Sequence, residues 1–325
     1  MTDLAVVIVS WNTRELTLQT LQTLFADLET SGLNTSVVVV DNGSTDGSSE
    51  AVAETFPQVT LFALTDNLGF GGGNNYALRQ IGFGTEIPGD DLPRAVYLLN
   101  SDTITQPGAT RALYDALLAD TSVGWVGARL TYGDGSFQDG AFAFPGLKQL
   151  WAEFFPTPGR FILGGFNGRY PQTRYTGDAP FSVDFTLGAT VMLKREVIQQ
   201  TGMFDNETFF MYCEEIDWAW RVHRAGWEVQ CVPAAHVVHL GGQSTSQVRA
   251  RSVVDLWASR LKLFKRYYPR WKLWLALRMV ALGMKRKLKQ AHQDDILSPE
   301  QREELITAYD QVRQMAARRK SAKQS

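Results

Sequence analysis

The sequence predicts a doubly wound α/β fold, a mostly parallel sheet with helices on both faces, followed by a basic helical C-terminal extension. Short β-rich runs alternate with helical patterns through the first 130 residues. These runs are apolar throughout, which is typical of parallel strands buried on both faces. The charge also changes sign along the chain. Residues 1–259 hold 15 Lys and Arg against 28 Asp and Glu, whereas residues 260–325 hold 17 against 6.

The predicted elements follow the order of βαβ units. Strands are predicted at residues 4–10, 36–41, 59–64, 95–100 and 123–130, and helices at 14–28, 48–56, 74–81 and 107–119. Residues 131–181, rich in Gly, Pro and aromatic residues, are predicted to form a long ordered loop. Further strands are predicted at 183–193 and 227–233. Because doubly wound sheets bind ligands beyond the carboxyl ends of their strands, we expect functional residues directly after each strand.

Composition places the chain among ordinary globular proteins. Its 325 residues suffice for one large domain, or one domain with an appendage, and 44% are hydrophobic. The N-terminus, "MTDLAVVIVSWN", lacks the basic start and long apolar run of a signal peptide, so we expect none. Cys213 and Cys231 form no CxxC pair, and we expect two reduced thiols in a cytosolic protein.

Two polar segments follow the second and third predicted strands. The first, "DNGSTDGS", is typical of a turn with a helix N-cap, but Asp41 could also accept the N3–H of a uracil or thymine ring. The second, "TDNLGFGGGNNYALR", is a Gly-rich turn of the kind that approaches phosphates. A nicotinamide-dependent dehydrogenase is disfavoured, because Asn74 takes the third glycine position of GxGxxG and the segment follows the third strand.

A third segment, "LLNSDT", places Asp102 at the end of an apolar strand. A carboxylate buried there with only a packing role would lower the stability of the fold, since unpaired buried acids are destabilising. Asp102 could instead hold a divalent cation together with substrate phosphates.

These segments together resemble family 2 glycosyltransferases, and the sequence is most similar to the bacterial rhamnosyltransferase-like branch. The resemblance covers residues 3–245 and rests on "VVIVSWN", "VVVVDNGSTDGS", "NLGFGGGNN", "LLNSDT", "GATVMLKREV", "GMFDNETFFMYCEEIDWAWRVHRAGW" and "HVVHLGGQST". It implies the GT-A fold, with a Rossmann-like nucleotide-sugar-binding half at residues 1–130 and an acceptor-binding, catalytic half at 131–250. Residues 251–325 form the basic helical extension.

The resemblance also assigns residues to the donor nucleotide-sugar. Asp41 would contact the base, and Asp102 is the retained acid of the family's DxD motif, near metal, ribose and diphosphate. Asn100 replaces the first acid of that motif, which leaves one fewer charged ligand for Mg²⁺ or Mn²⁺. His239 matches a metal or diphosphate ligand, although a lone histidine is as often structural. The implied donor-binding residues are Ser10, Asn12, Asp41, Asn42, Asn67, Gly69, Asn74, Asn100, Ser101 and Asp102.

The acidic stretch "CEEIDWAWRVHR" is predicted to be helical. Asp217 and Arg221 are four residues apart and could form an ordinary surface ion pair. The resemblance instead implies that Glu215 is the general base, in a position where the family usually has Asp, with Asp217 as the reserve. His236 is expected to be structural. Trp218, Trp220 and Trp227 could line an acceptor site, although core packing is favoured for them.

The basic extension predicts a membrane contact. Residues 260–289 contain 11 Lys and Arg and no acid, mixed with aromatic and aliphatic residues at helical spacing. Their longest apolar run, 273–284, is too short to span a bilayer. An interfacial helix on an anionic membrane is favoured over packing, an oligomer contact or nucleic-acid binding. Residues 298–320 are predicted to form a further helix with Ser298 as its N-cap.

We therefore expect a metal-assisted glycosyltransferase acting at the cytoplasmic face of the membrane. It would transfer rhamnose from dTDP-rhamnose, or another sugar from a dTDP- or UDP-sugar, to a lipid-linked saccharide, with inversion, in cell-surface polysaccharide synthesis. The alternative is a non-catalytic nucleotide- or carbohydrate-binding protein on the same scaffold.

Overall fold

The computed structural model describes residues 2–86, 89–241, 249–294 and 297–317. The chain forms two compact units. The sheet unit contains the described residues of Met1–Phe144, Arg169–Phe210 and Glu214–Ser244. The helical unit contains the described residues of Pro145–Gly168, Met211–Cys213 and Thr245–Ser325. The predicted division into donor-binding and acceptor-binding halves concerns function and remains a prediction.

Twelve strands are found in the described part of the chain. They are β1 (Leu4–Ser10), β2 (Thr35–Asp41), β3 (Thr60–Ala63), β4 (Ala95–Asn100), β5 (Thr103–Thr105), β6 (Val123–Thr131), β7 (Phe137–Gln138), β8 (Ala141–Phe142), β9 (Phe181–Val183), β10 (Phe185–Thr186), β11 (Thr190–Lys194) and β12 (Glu228–His239). The main sheet has the order β3-β2-β1-β4-β11-β6-β12-β5, with β7 beside β6 and β9 beside β12. Strands β1 to β4 are parallel, and β11 runs antiparallel between β4 and β6.

The helices divide between the two units. They are α1 (Arg14–Ser31), α2 (Ser48–Thr55), α3 (Gly69–Ile81), α4 (Ala109–Ala119), α5 (Leu147–Phe154), α6 (Gly159–Leu163), α7 (Arg195–Thr201), α8 (Glu214–Arg224), α9 (Arg249–Tyr267), α10 (Arg270–His292) and α11 (Pro299–Ala317). The sheet unit holds α1 to α4, α7 and α8, and the helical unit holds the others. Short 3₁₀ turns lie at Gly89–Asp91 and Gln172–Tyr175.

The sheet is covered on both faces, as the apolar strands predict. Alternate residues of a strand point to opposite faces. Ile8 of β1 accordingly packs in one apolar cluster, which includes Leu24 of α1 and Leu113 of α4. Its neighbour Val7 packs in a second cluster, which includes Leu78 of α3. The doubly wound α/β prediction is therefore confirmed.

The Gly-rich segment after β3 is helical, whereas the prediction began this helix five residues later. An added Cβ at Gly73 would lie 2.7 Å from Cγ1 of Val9, so glycine lets α3 lie close to β1. Gly69 has φ of +76°, and its added Cβ would lie 2.4 Å from the carbonyl oxygen of Phe210. These glycines serve close backbone packing at the start of a helix.

Other predicted boundaries also change. The predicted loop 131–181 contains two short strands, β7 and β8, and two short helices, because its aromatic residues pack locally rather than remaining solvated. The predicted strand 183–193 is divided into β9, β10 and β11, and the strand predicted at 227–233 continues to His239. Strand β5 lies in a segment for which no strand was predicted. The helix predicted at 298–320 is observed from Pro299 to Ala317, and residues 318–320 lie outside the described chain.

The helical unit buries one side of the basic extension. Phe154 of α5 fits against Gly283 of α10, where an added Cβ would lie 2.2 Å from its ring. Nη1 of Arg260 in α9 donates to both carboxylate oxygens of Glu153, at 2.8 and 2.9 Å. Segment 260–289, predicted as one interfacial helix, is broken between α9 and α10 because Pro269 cannot continue the first helix. No helix among the described residues combines the length and apolarity that crossing a bilayer requires.

Substitution of Gly69 tests the close approach of α3 to Phe210. We expect Gly69→Ala to lower the free energy of unfolding by about 2–4 kcal/mol, because it combines left-handed strain with a steric clash. Gly32→Ala is the matched control, since Gly32 also has a left-handed φ of +66° but no atom lies within 4 Å of its added Cβ. The control should lose about 1 kcal/mol in urea titrations. Equal losses in the two variants would contradict the packing explanation.

Candidate active site

The carboxyl ends of three parallel strands lie side by side. Ser10, the last residue of β1, is paired with Asp41, the last residue of β2. On the other side of β1, Val9 is paired with Asn100 at the end of β4. Residues that are far apart in the sequence therefore meet at one edge of the sheet, where doubly wound folds bind their ligands.

A chain of hydroxyl groups connects two of these strand ends. The Ser10 hydroxyl lies 2.7 Å from that of Thr17 and 3.1 Å from that of Thr13. Thr13 Oγ1 lies 3.2 Å from Ser101 Oγ, just beyond β4. Because Ser10 is buried and bonded within this chain, its side chain supports the edge of the site from behind. Thr13 and Thr17 were not predicted as site residues.

The loop after β2 is held by its own polar side chains. Asp41 Oδ1 accepts a hydrogen bond of 2.8 Å from the Ser44 N–H, which closes a tight turn. Asn12, with a left-handed φ of 52°, accepts from the Thr45 N–H through Oδ1 at 2.8 Å and donates its own N–H to Ser44 Oγ. Asn12 thus fixes the position of the Asp41 loop.

Three of the predicted donor-binding asparagines bond to the protein itself. Asn42 Nδ2 donates to Asn67 Oδ1 at 3.0 Å and to the Gly69 carbonyl, while Asn42 Oδ1 accepts from the Leu68 N–H. Asn74 Nδ2 donates to the carbonyl of Phe70, one helical turn earlier. These bonds shape the segment that leads into α3. Contact of these residues with a donor remains a prediction.

Asp102 and His239 come together at the end of β4. The imidazole Nε2 of His239 lies 3.3 Å from Asp102 Oδ1, and β12 places His239 opposite Thr103 of β5. The main chain adds a second link, since the Leu240 N–H donates to the Asp102 carbonyl at 2.9 Å. The two residues predicted to hold a cation are therefore neighbours, although 137 positions separate them in the printed sequence.

This pair suits a divalent cation. Their spacing of 3.3 Å is close to the separation of about 3 Å between adjacent ligands of an octahedral ion with bonds of about 2.1 Å. Asn100 Oδ1 is buried at the same strand end with no hydrogen-bond partner among the described residues. The described chain holds no cluster of three or more His, Cys, Asp or Glu suited to a metal. The remaining coordination positions would therefore fall to substrate phosphates and water, as is usual for Mg²⁺.

Gly188 brings Glu215 to the same edge. The Asn100 N–H donates to the Ala189 carbonyl at 3.0 Å, which places the start of β11 beside the end of β4. An added Cβ at Gly188 would lie 3.9 Å from Cβ of Glu215 and 3.7 Å from the Phe70 ring. The hydrogen bond from Asn100 to Ala189 and the contact of Gly188 with Glu215 therefore connect the segment that ends in Asp102 to the first turn of α8.

The two glutamates of α8 differ in their electrostatics. Glu214 is 4% exposed, and burial, followed by the charge of Glu215, raises its pKa well above its usual range. Burial also raises the pKa of half-buried Glu215 to about 6, against the lowering effect of backbone N–H groups at the helix start. Because the charge of Glu215 acts on Glu214, Glu215 loses its proton first, and its pKa of about 6 leaves it ionised near neutral pH. Glu215 is the acid suited to accepting a proton.

Asp217 lies in the protein interior. It is 0% exposed and pairs with Arg221 at 3.0 Å, so the predicted ion pair exists but is buried rather than at the surface. The same guanidinium donates to the carbonyls of Thr201 and Met203. Asp217 thus anchors the segment after α7, an arrangement that disfavours it as a base in contact with substrate.

The aromatic residues of this region pack largely in the core. Trp218 is fully buried, stacks edge-on against Trp125 and Phe204, and donates to Thr201 Oγ1. Half-buried Trp220 stacks on Phe144 with ring centroids 4.1 Å apart. Half-buried Trp227 donates to Gln200 Oε1 at 2.7 Å. These placements favour the packing interpretation of the three tryptophans, most clearly for Trp218.

His236 has a structural environment, as expected for it. Its Nε2 lies 2.9 Å from the Thr131 hydroxyl. Burial, followed by the charge of Arg129, lowers the pKa of His236, so the neutral ring is favoured.

Sequence reasoning missed several supporting residues. Asn75 is buried, donates to the Phe204 carbonyl and to Asn206 Oδ1, and accepts from the Phe204 N–H, which ties α3 to the segment before α8. Gln138 lies 3.2 Å from Nδ1 of His239. Gly188 lay within a recognised motif, but its contact with Glu215 depends on tertiary packing. No local pattern distinguishes Gln138 or Asn75 from an ordinary polar residue.

Comparison with known proteins identifies the family and the fold of the chain. A family model described as "Glycosyltransferase like family 2" matches residues 2–260. Two relatives from Mycobacterium tuberculosis, strains CDC 1551 / Oshkosh and ATCC 25618 / H37Rv, are both described as N-acetylglucosaminyl-diphospho-decaprenol L-rhamnosyltransferase. Each is 32% identical over 221 residues, an alignment that covers 65% of this chain and 68% of the relative.

Two solved structures share the fold. The mannosyltransferase PcManGT from Pyrobaculum calidifontis, in complex with GDP-Man and Mn²⁺, has a TM-score of 0.52 and 17% identity, over 98% of this chain and 86% of that one. GalNAc-T7 with UDP, GalNAc and Mn²⁺ has a TM-score of 0.59 and 13% identity, over 96% and 54%. These likenesses confirm a GT-A fold. Together with the family match over residues 2–260, they show that the chain belongs to the glycosyltransferase-like family 2 and is a glycosyltransferase.

Proposed function

We propose that this glycosyltransferase transfers rhamnose from dTDP-rhamnose to a lipid-linked saccharide, with inversion, in the synthesis of a bacterial cell-surface polysaccharide. The observation that carries the proposal is the placement of Asp102, His239 and Glu215 around the adjacent ends of β4 and β11. The relatives named as rhamnosyltransferases support the choice of sugar.

The donor would lie along the strand ends. Asp41, the last residue of β2, would contact the base, and the diphosphate would lie towards Asp102 and His239. This carboxylate and imidazole would hold Mg²⁺ or Mn²⁺, and both similar structures contain Mn²⁺. When bound, such a cation supplies positive charge to the departing diphosphate.

Glu215 would act as the general base. Its carboxylate accepts the proton of an acceptor hydroxyl while that oxygen bonds to the anomeric carbon, and the bond from this carbon to the diphosphate breaks on the opposite face. The configuration at the carbon inverts, and the proton remains on Glu215. Burial and the charge of Glu215 both raise the pKa of Glu214, which disfavours a second negative charge beside the acceptor hydroxyl.

The acceptor is proposed to be a polyprenyl-diphosphate-linked N-acetylhexosamine. The two relatives from Mycobacterium tuberculosis are named for N-acetylglucosaminyl-diphospho-decaprenol. Such a substrate remains anchored in the bilayer by its lipid, so the enzyme must work at the membrane surface. A surface of the helical unit suits that location.

The exposed face of α10 combines apolar and basic side chains. Eight of its exposed residues lie within a sector about 120° wide at 100° per residue, opposite the buried Ala276, Val280 and Met284. Trp271 and Leu282 are 64% and 59% exposed. The members of this α10 face are Trp271, Trp274, Leu275, Arg278, Leu282, Lys285, Arg286 and Lys289.

This arrangement fits an anionic bilayer. Indole rings favour the boundary between headgroups and acyl chains, and basic residues attract anionic lipids at about 1 kcal/mol each near the surface. Most of the apolar residues lie in the first half of the face, and three of its four basic residues lie in the last turns. Arg278 covers the Trp274 ring at 4.4 Å and joins the two regions. We propose that α10 lies in the plane of the membrane with this face towards the lipid.

A donor screen tests the proposed reaction. With Mg²⁺ or Mn²⁺ and a polyprenyl-diphosphate N-acetylglucosamine acceptor, we expect dTDP-rhamnose to give more dTDP release than UDP- or GDP-sugars. Release should depend on the acceptor, and the linkage in the product should be inverted relative to the donor. Preference for another sugar nucleotide would replace the rhamnose assignment, and binding without turnover would indicate a non-catalytic protein.

Substitution of Glu215 tests the base. Glu215→Gln should lower kcat by about 10²–10⁴-fold, because the amide cannot accept the proton. For the wild type, kcat/KM should rise with pH through about 6 and then level off, because Glu215 must be ionised. The substitution should remove this rise from the residual rate. A near-normal rate would exclude Glu215 from the role.

Asp217→Asn provides the contrasting variant on the same helix. Breaking the buried pair with Arg221 should lower the free energy of unfolding by about 3 kcal/mol in urea titrations. Glu215→Gln should leave stability unchanged or raised, since a pKa raised in the folded state means that the ionised carboxylate costs stability at neutral pH. If Asp217→Asn kept wild-type stability yet lost turnover and the pH dependence near 6, Asp217 would be the better candidate for the base.

Vesicle binding tests the α10 face. The double variant Trp271→Ala, Trp274→Ala should bind vesicles of anionic phospholipid at least about tenfold more weakly, since each indole contributes apolar burial on the kcal/mol scale. Wild-type binding should weaken as salt rises and be much weaker to neutral vesicles. Co-sedimentation over a range of lipid concentrations measures both effects.

The matched control is Trp151→Ala, which removes an indole that is 47% exposed elsewhere in the helical unit. It should bind vesicles as the wild type does. If the control lost as much affinity as the α10 variant, the effect would not belong to this face. If the α10 variant instead dissociated a dimer in the absence of vesicles, the face would be a subunit interface.

A further inference from the structure

Gln138 and His239 form a buried pair behind the proposed cation site. Gln138 ends β7 and is 7% exposed, and His239 ends β12 and is 8% exposed. Gln138 Nε2 lies 3.2 Å from His239 Nδ1, and Gly241 lies against both side chains. The opposite ring nitrogen, Nε2 of His239, faces Asp102 at 3.3 Å. The imidazole is thus held between an amide and a carboxylate.

In this amide orientation Gln138 donates to Nδ1 of His239. The ring proton of the neutral imidazole then resides on Nε2, which donates it to Asp102. With that proton in place, Nε2 has no lone pair for a cation. The orientation also leaves Gln138 Oε1 buried, with no hydrogen-bond partner in the described chain.

Rotating the Gln138 amide by 180° exchanges its nitrogen and oxygen and therefore reverses the tautomer of His239. Its Oε1 would accept from an Nδ1–H of His239, and Nε2 would present its lone pair towards Asp102. Two acceptors would then face each other 3.3 Å apart, which is unfavourable without a cation and suited to sharing one. Histidines that bind metals commonly donate their second ring N–H to such an oxygen acceptor.

We propose that Gln138 is a positioning residue whose amide sets the tautomer of His239, donating to Nδ1 without a cation and accepting from it when one is bound. The inference rests on the proposed function, since it assumes that Asp102 and His239 hold the cation. The amide suits this task because its nitrogen can donate and its oxygen can accept. An ionised carboxylate can only accept, and an aliphatic group can do neither.

The test compares Gln138→Glu, which retains an acceptor oxygen, with Gln138→Leu, which retains neither group at similar size. Long-range ¹H–¹⁵N spectra of the metal-free full-length protein report the tautomer of each ring, and the chain has only four histidines. His239→Asn identifies the signal by its loss. We expect the Nε2–H form of His239 in the wild type and the Nδ1–H form in Gln138→Glu. Addition of Mg²⁺ should convert the wild type to the Nδ1–H form.

Binding of Mn²⁺, followed by the electron paramagnetic resonance signal of the free ion, provides the second readout. Gln138→Leu should bind Mn²⁺ about 10–100-fold more weakly than the wild type, and Gln138→Glu should bind at least as tightly as the wild type. Equal affinities in all three proteins, or one tautomer throughout, would overturn the inference. Equally weakened Mn²⁺ binding in both variants would also overturn the inference, because the loss would then follow from any substitution at this buried position rather than from the missing acceptor.

Two further variants separate this inference from the proposed cation site. If Asp102→Asn and His239→Asn leave Mn²⁺ binding unchanged, the cation lies elsewhere and the proposed site itself is wrong. If both abolish binding while the Gln138 variants do not alter it, only the role of Gln138 is wrong. Should Gln138→Leu fail to fold, Gln138→Met removes the same groups with a flexible side chain of similar length, and the spectra of Gln138→Glu still test the tautomer.

Discussion

The antiparallel pairing of β11 with β4 is the constraint on which the site depends. One hydrogen bond of that region, from the Asn100 N–H to the Ala189 carbonyl, places Gly188 beside the strand end that leads to Asp102. Gly188 in turn lies against Glu215. A slip of one residue in this register would turn alternate side chains to the opposite face of the sheet. The antiparallel strand β11 therefore determines that Asp102 and Glu215, from separate segments of the chain, can act on one substrate.

The three acids of α8 show how one short helix serves two purposes. Asp217 is fully buried and pairs with Arg221, and the same guanidinium bonds to the preceding segment. Glu214 is buried, and this burial raises its pKa well above the usual range. Glu215 lies at the first turn, where backbone N–H groups favour the carboxylate and partial burial opposes it. The balance leaves its pKa near the range in which a base is both ionised and basic enough to take a proton.

Local patterns in the sequence were sufficient to predict the parallel strands and their succession along the chain. Continuous apolar runs predicted β1 and β4 with their observed bounds, and polar residues after them marked the edge of the site. The start of α3 was predicted too late, because the conformational freedom of glycine suggests a loop. In the structure, close packing on Val9 requires glycine within the helix. The short strands after residue 131 could not be predicted, since their pairing depends on distant partners. Gln138 and Asn75 act through tertiary hydrogen bonds that leave no periodic signal.

The helical unit is assembled from separated pieces of chain, which has a consequence for biosynthesis. Phe154 meets its partner Gly283 only after more than a hundred further residues have left the ribosome. Until then the apolar side of α5 lacks the helix that covers it, and a nascent chain would expose that surface while the early strands fold. A chaperone, or slow elongation through the intervening region, would protect this stage. Removing the C-terminal helices by truncation would make that exposure permanent.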